Sequence, residues 1–210
     1  MKKLILLLLF PFLLQSQNFP ELDVSPMDKA HFSRQKEVAT ITYSRPQLKG
    51  RALKDILKLK KIWRTGANQA TTISFSGDVK INNQLVKMGE YYIYSVPRES
   101  KLDLVIYEKT DAWGALKSFD ESLIKARVTS SFYDLPFSVE TLTISFGDIS
   151  NAGASFNLSW GNKIAIFIID VLTKEKMIKD IDDVMKGDPS PADYRKAAIY
   201  YFEENIDIDK

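Results

Sequence analysis

The chain has 210 residues, with 29 lysines and arginines against 27 aspartates and glutamates, a formal net charge of +2, one histidine and no cysteine. Without cysteine there is no disulfide, no thiol nucleophile and no zinc–thiolate site. Charges this balanced argue against nucleic acid as a partner, because phosphate neutralisation needs a surplus of Lys and Arg.

In chain order, the first segment reads as an address. Met1-Lys2-Lys3 is basic, and residues 4–14 are apolar apart from Pro11. Such a run is too short to anchor in a bilayer and fits a secretory signal peptide over residues 1–16, removed after Ser16. Its removal takes Lys2 and Lys3 and no acid, which leaves 27 basic residues against 27 acidic. The expected product is periplasmic or secreted, has no stable membrane span after cleavage, and lacks the cysteine of a lipoprotein anchor.

Residues 20–172 read as one β-domain and residues 173–210 as a helical tail. Thr72-Ile73-Ser74-Phe75, Thr141-Leu142-Thr143-Ile144-Ser145-Phe146 and Ser155-Phe156-Asn157-Leu158-Ser159-Trp160 alternate with period two, which predicts strands with one face buried. Residues 163–170 are almost continuously apolar and predict a central strand covered on both faces, with the tail as the cover. Asn82-Asn83 predicts a tight hairpin, Pro97 a strand end, and Gly147-Asp148 and Trp160-Gly161-Asn162 two further turns. Residues 51–62 carry Leu53, Ile56 and Leu57 at helical spacing and predict one or two turns of helix. Residues 174–185 place Met177, Ile178, Ile181 and Met185 on one helical face. After the break at Gly187-Asp188-Pro189-Ser190-Pro191, residues 192–205 predict a second helix. The fold class expected is mainly β: an antiparallel β-sandwich or partly closed barrel with a short C-terminal helical cap.

Two blocks stand out. Tyr43-Ser44-Arg45-Pro46 runs into Lys49-Gly50-Arg51, and Trp63-Arg64-Thr65-Gly66-Ala67-Asn68 follows. They resemble the signature of the bacterial domain-of-unknown-function family 2911 (DUF2911), found mostly in secreted proteins of Bacteroidetes-type bacteria. The resemblance covers residues 25–170, opens at Ser25-Pro26, and is softer at Gly89-Glu90-Tyr91 and Trp113-Gly114-Ala115. The family carries a proline and a glycine ahead of the tryptophan block. Lys58 and Lys60 stand there in this chain, a departure that favours a more helical connector. The resemblance implies an exported protein and transfers no catalytic role to any residue.

The chemistry of the blocks suggests binding. Arg45, Arg51 and Arg64 offer guanidinium forks for carboxylates, phosphates or sulfates. Tyr43 and Trp63 offer stacking faces. Thr65 and Asn68 add hydrogen-bonding groups. The expected ligand is an anionic small molecule or a glycan. The structural alternative makes Arg64 a buried partner of an acid such as Asp120, and Trp63 a core plug. Catalysis has weaker support. His31 is alone, no nucleotide loop is present, and no cofactor or metal is expected; Asp180, Asp182 and Asp183 read as a wet helix face. A carboxylate-based hydrolase would draw on Asp103, Glu108, Asp111, Asp120 and Glu121. A third reading is a structural or partner-binding envelope component.

Overall fold

The computed structural model describes residues 22–33, 37–110 and 114–206. The leader expected over residues 1–16 lies outside them, as do Asp111 and Trp113. The described residues form nine strands and three α-helices: β1 (Met27–Ser33), β2 (Glu37–Ser44), α1 (Leu53–Ile56), β3 (Thr71–Phe75), β4 (Val79–Ile81), β5 (Gln84–Val86), β6 (Gly89–Pro97), β7 (Lys101–Glu108), β8 (Ile124–Gly147), β9 (Gly153–Asp170), α2 (Thr173–Met185) and α3 (Pro191–Glu203). All strands join one antiparallel sheet in the order β1-β2-β3-β6-β7-β8-β9-β4-β5. No helix among the described residues is long and apolar enough to cross a membrane.

β8 folds this sheet over itself. A straight strand of its 24 residues would run about 80 Å, far more than the width of a domain this size. Its first half pairs with β7 and its second half with β9. Between Asp134↔Lys163 and Val139↔Gly161 it spends five residues where β9 spends two, and the register shifts again before Thr143↔Ser159. These bulges bend the strand. They swing residues 140–142 onto the end of β2, where Leu48 N–H donates to Glu140 O (2.9 Å), Leu142 N–H donates to Pro46 O (2.9 Å), and Gln47 bridges Thr141. The sheet is thus partly closed by a short bridge, without a continuous ladder.

The fold-over brings two wings together around one core. Ile41, Ile73, Ile93, Leu104 and Ile106 face Phe156, Leu158, Trp160, Phe167 and Ile169. Each such side chain contributes about 1.5–3 kcal/mol when buried. A second, smaller cluster lies on the outer face of β6 and β7. There Tyr94, Val105 and Tyr107 are roofed by Leu116, Phe119 and Leu123.

Two expectations are corrected. Residues 163–170 are not covered on both faces: Ala165, Phe167 and Ile169 are buried, but Ile168 is 55% exposed. The cover is missing because α2 starts just beyond β9 and is tied to β4 by Lys80–Glu175 (3.0 Å), while the two helices bury only Ala197. The strand covered on both faces is β7, roofed by residues 116–123. Trp160-Gly161-Asn162 is not a turn but a bend within β9, with Gly161 at φ +60° between the two register breaks. The expected turn of helix after Arg51 is present as α1. Beyond it, Lys60 takes the left-handed conformation (φ +59°).

Candidate functional site

The first block ties β2 to β8. Tyr43 is buried, and its hydroxyl accepts from Ile144 N–H (3.0 Å) and donates to Ile144 O (3.3 Å). Burial pushes its pKa up. Arg45 divides its guanidinium among three partners: Nε donates to Leu142 O (3.1 Å), Nη1 to Asp28 Oδ2 (2.9 Å) and Nη2 to Thr143 Oγ1 (2.9 Å). Arg51 folds back on its own turn, with Nε donating to Leu48 O (2.8 Å) and Nη2 to Gln47 O (2.7 Å).

The second block is a tight turn wedged between β2, β3 and β6. The Trp63 backbone exchanges two hydrogen bonds with Ser95, each 2.8 Å, and its indole N–H donates to Gly66 O (3.0 Å). Its ring stacks on Trp160. Thr65 is fully buried at φ +55°, with its hydroxyl 2.8 Å from that of Ser95. A Cβ on Gly66 would lie 2.9 Å from Thr71 Oγ1 and 3.0 Å from Ser44 O, so glycine is required by close approach. Asn68, also left-handed (φ +54°), donates from Nδ2 to the Asp23 carboxylate and to Ser25 O. Arg64 Nη1 donates to Asn68 O (2.5 Å).

Trp63, Arg64, Thr65 and Asn68 therefore share one turn, while Arg45 and Arg51 are directed to separate partners. Arg64 has no acidic partner among the described residues. Asp120, its alternative partner from sequence, instead accepts from Ser122 N–H and Oγ–H, which holds its carboxyl below the usual range. Arg64 lies against Gly114, whose carbonyl accepts from the buried Tyr94 hydroxyl (3.3 Å). Burial pushes the Tyr94 pKa up to about 12.

Of the acids considered for hydrolysis, those among the described residues are each engaged locally; Asp111 lies outside them. Asp103 accepts from Arg98 (2.8 Å) and Thr129 (2.8 Å), Glu108 pairs with Lys125, and Glu121 pairs with Arg127 (2.9 Å). Among the described residues, no three His, Cys, Asp or Glu side chains gather to hold a metal.

Among the described residues, two cavities have the size of small-ligand sites. One, of about 940 Å³, lies at the end of the sheet beside α2 and includes Ser76, Asp78, Ser150 and Lys176. The other, of about 670 Å³, is a groove between the connector of residues 51–62 and the β8–β9 bend. Arg45, Arg51 and Arg64 line neither. The signature blocks nevertheless determine the second groove, because they grip both ends of its wall. Arg51 fixes the turn that enters the connector, while Lys60 N–H on Pro97 O (2.8 Å) and the Trp63–Ser95 bridge fix its exit. Between these clamps, Leu57 is buried and Leu53 packs near Gly161. Leu53, Leu57, Pro97 and Phe132 give the groove an apolar floor; Lys54, Lys58 and Lys163 stand along it.

Sequence reasoning missed this groove. The signal present was the apolar–basic mixture of Leu53, Lys54, Leu57 and Lys58. The opposite wall, Phe132 and Lys163, comes from residues far away in the chain.

No curated protein and no solved structure matches this chain. A family model described as "Protein of unknown function (DUF2911)" matches residues 25–169, which hold the clamped connector and both of its anchoring blocks, and the chain belongs to that family.

Proposed function

We propose that the chain is an exported, non-catalytic binding protein that takes a polar or anionic small ligand in the groove beside α1. The observation that carries this reading is that both signature blocks anchor the segment walling that groove. Tyr43, Arg45, Arg51, Trp63, Arg64, Thr65 and Asn68 then serve binding by holding the wall rather than by touching the ligand. Export to the periplasm or beyond rests on the basic and apolar pattern of residues 1–16. A concave, largely apolar groove with a few polar groups at its edge is the usual form of a small-molecule site.

A thermal-shift screen of the secreted chain against sugar acids, inorganic phosphate, peptidoglycan fragments and straight-chain carboxylates tests this reading. A stabilising shift is expected with at least one of them, and it should vanish in Asn162→Trp, which places an indole in the groove mouth. A shift unchanged by that substitution would remove the groove from the proposal.

The rival reading is a structural envelope component without a small-molecule site. It is favoured by the side chains of Arg45, Arg51, Trp63 and Asn68, which all make hydrogen bonds inside the molecule. A screen with no stabilising ligand would support it.

A further inference from the structure

We infer that the occupant of the groove is a single-chain anionic amphiphile: one unbranched apolar chain carrying a carboxylate or phosphate head, taken up as a free molecule. This rests on the binding reading above and adds the ligand class.

The floor has little to offer a sugar. A glycan site needs an accessible aromatic platform and several polar groups aimed at hydroxyls. Trp63 and Trp160 are stacked on one another, and their indole N–H groups donate to Gly66 O and Glu140 O. The aromatic ring in the groove is Phe132, and its uncharged polar side chain is Asn162. Leu53, Leu57 and Pro97 complete a surface suited to an alkyl chain.

The charge at the edges selects the head. Lys54, Lys58, Arg98 and Lys163 line the groove against Asp55 and Glu99. Arg98 is held by Asp103 and Lys163 by Asp134. Lys54 and Lys58 have no ion-pair partner among the described residues, and neither do Asp55 and Glu99; the two lysines, four residues apart on the connector, offer an incoming anion a pair of cations. Both are exposed. Exposed ion pairs alone hold a bare anion weakly. Affinity must therefore come from the chain, at about fourfold per buried methylene, with the lysines choosing the head. A volume of about 670 Å³ lies in the usual range for such ligands.

The test is calorimetric titration of the secreted chain with a homologous series of straight-chain carboxylates below their micelle concentrations, the matched alcohols, glucuronate and inorganic phosphate. Kd should fall about fourfold per added methylene until the groove is full, and each alcohol should bind roughly tenfold more weakly than its carboxylate at low salt. In the double variant Lys54→Gln, Lys58→Gln the head preference should disappear while the chain-length dependence stays. In Asn162→Trp both should disappear. Affinity independent of chain length, alcohols equal to carboxylates, or binding only to micelles or vesicles would overturn the inference. If glucuronate or phosphate binds and Asn162→Trp abolishes it while chain length has no effect, the amphiphile is wrong and the binding site stands. If nothing binds the parent chain, both fall.

Discussion

The indole of Trp63 stacks on the indole of Trp160, with ring centroids 5.7 Å apart and planes 18° from parallel. Trp160 belongs to β9 in one wing of the folded sheet, and Trp63 closes the connector against β6 in the other. Trp63→Ala should therefore cost about 3 kcal/mol in urea unfolding, since it removes a large aromatic from a packed site and leaves a void beside Trp160. Trp63→Phe should cost less than half as much. A loss below about 1 kcal/mol for the alanine variant would show that the stack does not join the wings.

Arg45 separates charge from hydrogen bonding. Its ion pair with Asp28 is partly solvated, with side chains 31% and 42% exposed, and such pairs contribute little. Its donations to Leu142 O and Thr143 Oγ1 hold β8 to β2 in the fork geometry that lysine lacks. Arg45→Lys should cost about 1–2 kcal/mol, and Asp28→Asn under about 1 kcal/mol. Equal losses in the two variants, measured by chemical denaturation, would assign the stability to the ion pair instead.

Tyr94 sets an alkaline limit. Its folded pKa is raised from 10.0 to about 12, chiefly by burial of the ring, so the folded state favours the neutral phenol. A group raised in this direction stabilises fully below its unfolded value of 10.0, and this stability is lost as pH climbs from there towards about 12. The contribution is on the order of 2 kcal/mol. Stability measured across that window should fall, and Tyr94→Phe should flatten the fall. An identical decline in Tyr94→Phe would point to other groups.

Gly66→Ala should destabilise by about 1–3 kcal/mol, because the added methyl meets the Ser44 carbonyl and the Thr71 hydroxyl. Lys60→Gly should act in the opposite direction. Lys60 sits at φ +59°, a conformation costly for any residue with a Cβ, and glycine relieves it by about 0.5–1 kcal/mol after the entropy of the unfolded chain is counted. A melting temperature that falls in Lys60→Gly would argue against strain at this turn.

The strands with clean alternation were legible because their small polar residues mostly take the less buried face and their apolar residues the core face. Thr72 to Phe75 and Ser155 to Trp160 show this, and Asn82-Asn83 forms the expected hairpin with both residues at positive φ. Legibility failed where a remote segment decides exposure. An apolar run such as residues 163–170 looks covered on both faces, yet whether a roof exists depends on where the chain goes next. Gly161 illustrates the same limit, since a glycine flanked by polar and aromatic residues marks a turn or a bulge alike, and only pairing with β8 chooses the bulge. The signature arginines were legible as a group with a shared importance. The partners of Arg45, Leu142 and Thr143, follow from the return of β8 to β2, which no local pattern encodes, whereas Arg51 turns back on the Leu48 and Gln47 carbonyls of its own turn.

The most direct measurement is an amide chemical-shift map of the protein titrated with whichever anion stabilises it. Perturbations are expected to gather on residues 53–59, Phe132 and Asn162, with the amides of Arg45, Arg64 and Asn68 little changed. Perturbations centred on Arg64 and Asn68, with residues 53–59 silent, would place the ligand on the signature turn itself and contradict a groove that those residues merely hold open.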